Sequence, residues 1–197
     1  MAWIGLTWFA LALVSYLIGG IPTAYLAARL LKGADIRSLG DRNVGAANVY
    51  RNISSWAGAA VALIDIAKGA AAVLLVRGLV DSPPAEMIAG LAAVAGHNWP
   101  VYLRLRGGRG AATTVGVLLA MLPALAIPVA LLALVVLYFS KRAIYSLGFF
   151  LILTPILAWW PADYTYAVAS YSVAIPLMVG GRHLWSVKRS ATSKPAG

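Results

Sequence analysis

Residues 111–140 form a 30-residue run without a single charged side chain, and no other feature limits the fold as strongly. About 20 consecutive apolar residues cross a bilayer as a helix. Comparable runs recur at about 2–31, 56–76, 87–103, 143–160 and 164–181, the first interrupted by Gly19, Gly20 and Pro22. Only 11% of the residues are Asp, Glu, Lys or Arg, against about 25% in soluble domains. That composition excludes an ordinary soluble globule and a disordered chain. With no cysteine, a disulfide scaffold and a thiolate zinc module are excluded as well. No internal repeat stands out and the spans leave no room for a separate soluble domain. Residues 1–197 are therefore expected to form a single integral membrane domain.

The charges then choose between two topologies. The 30-residue run is either one long kinked helix or two short helices turning within 122–128. Two helices make about seven spans, two of them short at about 14 residues. With the N-terminus outside, Arg29, Lys32, Arg37, Arg42, Arg51, Arg104, Arg106, Arg109, Lys141, Arg142, Arg182, Lys188, Arg189 and Lys194 all fall on the cytoplasmic side. That is the positive-inside pattern. Lys68 lies within a span and Arg77 at an outer end, while Asp81, Glu86 and Asp163 occupy outer segments. A single long helix would place Lys141, Arg142 and the basic tail opposite the earlier basic segments. The reading is an all-α polytopic membrane protein of about seven transmembrane helices, with its C-terminus cytoplasmic. Residues 1–9 carry no Lys or Arg, unlike the basic start of a signal peptide, so an uncleaved first span is expected. Asn52-Ile53-Ser54 matches a glycosylation acceptor but falls on the cytoplasmic side. Nucleic-acid binding has little support, because the basic residues are spread over four membrane-proximal segments as orientation alone requires.

Chemistry is expected at the cytoplasmic face, in segments about 32–55, 97–114 and 182–191, because the outer loops are short and plain. Residues 35–51 hold Gly40 and Gly45, the amides Asn43 and Asn48, and the donors Arg37, Arg42 and Arg51. Such a loop can wrap an anion; it can equally be a solvated loop that sets orientation. In Gly107-Gly108-Arg109-Gly110, directly before Ala111 to Thr114, backbone N–H groups and a helix start suit an anion nest. Arg109 adds a planar fork for phosphate. The alternative is a flexible turn between spans. It is not a P-loop, whose Gly-x-x-x-x-Gly-Lys-Ser/Thr spacing is absent. His97 and His183 lack clustered carboxylates, so no metal is expected. The positions five beyond them are Tyr102 and Lys188, which excludes the His-x-x-x-x-Asp box of the CoA- or carrier-protein-dependent glycerolipid acyltransferases. Asp65 and Lys68, three apart on one helix face, read as a self-compensating pair beneath the loops, the alternative being a site residue or proton relay.

Taken in order, these segments resemble the bacterial membrane acyl-phosphate:glycerol-3-phosphate acyltransferases of the PlsY type. Ser15 to Pro22 is similar to that family's first span, 35–51 to its first motif, and Asp65-Ile66-Ala67-Lys68-Gly69 to its second-span signature. Gly96-His97, Pro100 and Gly107 to Thr114 are similar to its second motif, and Arg182 to Arg189 occupy the place of its third. The family's first motif usually reads Gly-Ser-Gly-Asn-x-Gly-Ala-Thr-Asn-Val; here Asp41-Arg42 replace Ser-Gly and Ala47 replaces Thr. Arg109 stands for the usual Lys. The third motif, usually His-Arg-x-Asn-Ile-x-Arg followed by Gly and Glu, reads His183-Leu184-Trp185-Ser186-Val187-Lys188-Arg189, with no Glu after it.

The resemblance implies acyl transfer from acyl phosphate to the 1-hydroxyl of glycerol-3-phosphate, giving lysophosphatidic acid at a bacterial inner membrane without a cofactor. It assigns Arg51, Arg109, Gly45, Gly107, Gly108, Gly110 and Thr113 to phosphate. Asn43 and Asn48 take orientation or oxyanion donation, and His183 or His97 takes proton transfer. Asp65, Lys68 and Ser186 are supporting residues, and Arg42 is expected to neutralise Asp41. The departures at Asp41, Ala47 and Ser186 also suit a non-catalytic or acceptor-shifted paralogue that binds anionic lipid or a membrane partner. A small-solute transporter has only Asp65 and Lys68 as a polar path.

Overall fold

The computed structural model describes residues 2–160 and 164–192; Asp163 and Lys194 lie outside them. Among the described residues the regular structure is helical and contains no strand. The first apolar run is two helices, α1 (Ala2–Gly20) and α2 (Thr23–Lys32). Pro22 lacks an N–H and its ring blocks a continuous helix, so the backbone opens at Ile21. The freed Ile21 carbonyl accepts from Thr23 N–H at 3.0 Å and from Lys68 Nζ at 3.1 Å. After a loop comes the short α3 (Ala46–Asn52), then α4 (Ser55–Val80) and α5 (Pro83–Asn98).

The uncharged 111–140 run is also two helices, α6 (Ala111–Met121) and α7 (Pro123–Ser140), hinged at Leu122. A residue preceding proline is pushed out of the α region, and Leu122 sits at φ −130°, ψ 51°. The break therefore falls at the first proline, giving 11 and 18 residues rather than two equal halves, and Pro128 stays inside α7. Arg77 secures the joint. Its guanidinium donates to the Ala120 carbonyl at 2.9 Å while pairing with the buried Glu86 at 2.6 Å. One of the carbonyls orphaned at the α6 end is thus satisfied.

After α8 (Ala143–Trp159), α9 runs from Tyr166 to Thr192 without interruption. Segment 182–191, read from the sequence as a tail beyond the last span, is the continuation of that helix.

The molecule encloses paired charges and turns large apolar side chains outward. Asp65 and Lys68 are 1% and 6% exposed, while Trp3 and Phe139 are 82% and 78% exposed. That inversion suits a hydrocarbon surround, where charges are tolerated only inward and paired. Three helical stretches, 3–32, 55–80 and 123–140, are long and apolar enough to cross a membrane, and α6 and α8 are shorter apolar helices. Small residues let backbones approach closely in such bundles. A Cβ on Gly96 of α5 would run into the Tyr16 carbonyl of α1, and one on Gly116 of α6 into the Ile66 carbonyl of α4. One core gathers Val73, Val94, Leu118, Leu122, Phe150 and Ile175. A second, built from Ala28, Ile36, Val44, Val49, Val61 and Leu103, lies under the loop between α2 and α3.

Candidate functional site

The α2–α3 loop is a folded structure with its own anchors. Asp35 accepts from Arg37 N–H at 2.9 Å, capping a single 3₁₀ turn, and binds the Arg37 guanidinium at 2.7 Å. Those hydrogen bonds hold the Asp35 carboxyl below the usual carboxylate range. Asn48, on α3, is fully buried. Its two Nδ2 hydrogens are shared among the carbonyls of Ile36, Leu39 and Asn43, at 3.2, 3.0 and 2.9 Å, and its Oδ1 accepts from Asn52 Nδ2 at 2.7 Å. The expectation that Asn48 orients substrate or donates to an oxyanion is therefore corrected: its amide hydrogens hold the loop closed. Gly45 starts α3, its carbonyl accepting from Asn48 N–H at 3.0 Å. Asn43 lies beside it and presents a half-buried amide.

The second loop follows α5. Gly107 N–H donates to the Asn98 carbonyl at 3.3 Å and Gly108 N–H to the His97 carbonyl at 3.0 Å. Of the anion nest expected from Gly107, Gly108 and Gly110 before α6, the Gly107 and Gly108 N–H groups are taken within the protein. Gly108 serves packing instead. A Cβ there would strike the His97 ring and come within 2.6 Å of the Val44 carbonyl, so the residue locks the second loop against the first. Gly110, at φ +83°, caps α6 in a left-handed conformation. Thr113, assigned from the sequence to phosphate, is fully buried against Gly69 of α4 and serves helix packing. Beneath both loops, Asp65 Oδ1 lies 2.8 Å from Lys68 Nζ, accepts from Thr23 Oγ1 at 2.6 Å and stands 3.8 Å from His97 Nδ1. This cluster ties α2, α4 and α5 together.

The charged groups meet above that platform. Asp41 Oδ2 stands 3.2 Å from Arg51 and 3.5 Å from Arg109, while its Oδ1 accepts from Asn43 N–H at 3.3 Å. The sequence assigns neutralisation of Asp41 to the adjacent Arg42. In the structure Arg51 and Arg109 form the ion pairs, and Arg42 takes a left-handed turn conformation at φ +58°. Arg109 Nε donates to Ser186 Oγ at 3.0 Å, and Ser186 Oγ donates to the His183 carbonyl at 3.1 Å. Partial burial, and secondarily Arg109, lower the His183 imidazole from its ordinary value; Asp41 opposes them. Arg182 donates to the Asn98 carbonyl at 3.5 Å and lies 4.6 Å over Trp185 and 5.7 Å over Trp99.

Three separate segments thus bring Asp41, Arg51, Arg109, His183 and Ser186 to one place, with Asn43 at its edge. Two guanidiniums can hold phosphate, an imidazole can move a proton, and an amide can donate to developing charge. Among the described residues no three His, Asp or Glu side chains group as metal ligands. Sequence reasoning missed Asn52, Asn98 and Arg182. Asn52 carried a signal, since it lies four residues after Asn48 on the same helix face; Arg182 opens the segment in place of the third motif, and Asn98 carried none beyond standing next to His97.

Residues 9–192 match the family model described as glycerol-3-phosphate acyltransferase. Glycerol-3-phosphate acyltransferase 4 of Dehalococcoides mccartyi is 42% identical over 175 residues, covering 87% of this chain and 92% of that protein. A glycerol-3-phosphate acyltransferase of Myxococcus xanthus is 46% identical over 140 residues, or 71% of this chain and 72% of that one. The crystal structure of PlsY (YgiH), an integral membrane glycerol 3-phosphate acyltransferase, in its glycerol 3-phosphate form superposes with a TM-score of 0.81 at 30% identity, over 94% of this chain and 92% of that chain. Its lysophosphatidic acid form superposes at 0.77.

Proposed function

The chain belongs to the glycerol-3-phosphate acyltransferase family, PlsY type, and from that premise we propose that it transfers an acyl chain from acyl phosphate to the 1-hydroxyl of glycerol-3-phosphate. The product is lysophosphatidic acid. The observation that carries this reading is the convergence of Arg51, Arg109 and His183 from three segments onto one patch. A solved relative captured in glycerol 3-phosphate and lysophosphatidic acid forms supports the same acceptor and product.

An acyl phosphate is a mixed anhydride with phosphate as its leaving group, so no covalent enzyme intermediate is required. The acceptor hydroxyl oxygen attacks the acyl carbonyl carbon. A tetrahedral oxyanion forms, then the bond from that carbon to the phosphate oxygen breaks and inorganic phosphate leaves. The hydroxyl proton goes to His183 or to the departing phosphate. Arg51 and Arg109 hold phosphate, the Asn43 amide faces the oxyanion, and Ser186 holds the Arg109 fork. Positioning and electrostatic stabilisation supply most of the rate. The acyl chain is assigned to the open apolar groove of about 300 Å³ between α8 and α9, lined by Leu151, Ile152, Pro155, Val173, Pro176 and Leu177. Pro176 and His183 are seven residues apart on one face of α9, about 10 Å along its axis.

The same reading places residues 1–197 as one domain in the bacterial inner membrane, with seven spans and the N-terminus outside. Segments 32–55, 97–114 and 182–191 then face the cytoplasm, and phospholipid synthesis is the setting. A second reading, a non-catalytic or acceptor-shifted paralogue, draws on Asp41, whose carboxylate sits between the two arginines. A donor-by-acceptor assay on detergent-purified protein separates the two. Palmitoyl phosphate with glycerol-3-phosphate should yield lysophosphatidic acid, acyl-CoA should yield none, and Arg109→Ala should abolish product. Folded protein that gives product only with another alcohol, or none across the panel, would overturn the proposal.

A further inference from the structure

We propose that Asp41 is a specificity-determining residue of this site: a resident carboxylate that occupies the seat of a substrate phosphate between Arg51 and Arg109 and is displaced when that phosphate binds. The inference rests on the phosphate role given above to the two arginines. One oxygen, Oδ2, meets both guanidiniums, at 3.2 and 3.5 Å, and a phosphate oxygen offers guanidinium the same kind of acceptor. Arg109 is held independently of Asp41, whereas the exposed Arg51 side chain has Asp41 as its partner. Arg51 is carried by α3, and Arg109 is fastened through Nε to Ser186 at 3.0 Å. When Asp41 leaves, Arg109 keeps its place and the Arg51 side chain is left without its partner, ready to follow an incoming anion. Side-chain exposures of 35% for Asp41 and 54% for Arg51 leave that pair open to water, where such bridges are weak and easily exchanged; Arg109 is more enclosed, at 22%. Asp41 lies on an exposed turn, with Arg42 at φ +58°, so its side chain can rotate off the arginines while Asn48 keeps the loop in place. A phosphate must therefore compete with a built-in anion, and the negative charge of Asp41 continues to oppose it after displacement.

The phosphate could belong to the acceptor or to acyl phosphate, and the test distinguishes them. Full-length wild type, Asp41→Asn and Asp41→Ser are titrated with inorganic phosphate by calorimetry, without turnover. KM is then measured separately for glycerol-3-phosphate and for palmitoyl phosphate. Asn and Ser both retain an acceptor for the Asn43 N–H, so the turn survives the loss of charge. Phosphate should bind about 3- to 30-fold more tightly in both variants, the gain shrinking as salt rises. The substrate whose KM falls in proportion is the one whose phosphate uses the seat. Unchanged or weaker phosphate binding in both folded variants would overturn the proposal. Tighter phosphate binding in protein that makes no product would sink the acyltransferase reading and leave the role of Asp41 standing.

Discussion

Arg109 donates from Nε to the hydroxyl of Ser186 at 3.0 Å, joining the glycine loop before α6 to the far end of α9. A guanidinium held on one edge presents its remaining donors in a fixed direction, an advantage a lysine point charge lacks. Ser186→Ala removes that hold, and the bond to the His183 carbonyl with it. We expect kcat/KM to fall about 3- to 10-fold, the value of one hydrogen bond of this kind. Arg109→Ala should cost at least about 100-fold, and Arg109→Lys an intermediate amount. Steady-state kinetics on the three variants checks the order. Equal activity in Ser186→Ala and wild type would remove Ser186 from the site.

His183 supplies a pH prediction whose sign follows from its surroundings. Burial lowers the imidazole from 6.5, Arg109 pushes the same way and Asp41 pushes back. Neutral His183, the form able to accept the acceptor proton, therefore persists to more acidic pH than a free histidine. The acid limb of kcat/KM should lie below 6.5, move lower in Asp41→Asn, and disappear in His183→Gln. Folding follows the same linkage. The unfolded chain binds the proton more readily, so the contribution of His183 to stability is lost as pH falls through the window below 6.5. A pH–rate profile unchanged by Asp41→Asn would show that these groups do not interact.

Much of this architecture is legible in the residues because its causes are local. Pro22 and Pro123 break the helices where their missing N–H groups and ring sterics require. The placement of cations marks which loops share a face, and the motif order identifies three converging segments. The errors concern partners chosen by tertiary structure. Nothing within 35–51 indicates that the Asn48 hydrogens go to Ile36, Leu39 and Asn43. Likewise, Gly107 and Gly108 resemble an open nest until the Asn98 and His97 carbonyls are brought beneath them. Adjacency suggests Arg42 as the partner of Asp41, but the fold brings Arg51 and Arg109 to it from further along the chain. The course of α9 through 182–192 is hidden for another reason: a polar, basic end on an apolar helix reads like a loop.

Asp65 and Lys68 sit 2.8 Å apart with side chains 2% and 5% exposed. Charges so deeply placed stabilise little as a pair but cost heavily when separated. Lys68→Met leaves a buried carboxylate and frees the Ile21 carbonyl, and should destabilise by about 3–5 kcal/mol. Adding Asp65→Leu should recover much of that loss. Thermal unfolding in one detergent gives the comparison. Additive losses in the double variant would mean that each charge acts through other partners, Thr23 and His97 for Asp65 and Ile21 for Lys68.

The crossing of α1 and α5 gives the final prediction. Gly96 lies against the Tyr16 carbonyl and within 2.9 Å of the Gly20 N at the position a Cβ would take. These are backbone atoms, which cannot move aside as a flexible side chain does. Gly96→Ala must separate the two helices, at a cost of at least about 1–3 kcal/mol by analogy with overpacked cores. It should also shift His97 and the loop that rests on it, so activity falls with stability. Gly78, near the end of α4, has nothing within 4 Å of the same position. Gly78→Ala gains helix propensity there, up to about 1 kcal/mol, and should leave activity unchanged. The two substitutions add the same methyl group, so opposite shifts in the melting temperature report the contact alone. A Gly96→Ala protein as stable and active as wild type would mean that α1 and α5 are not packed backbone to backbone.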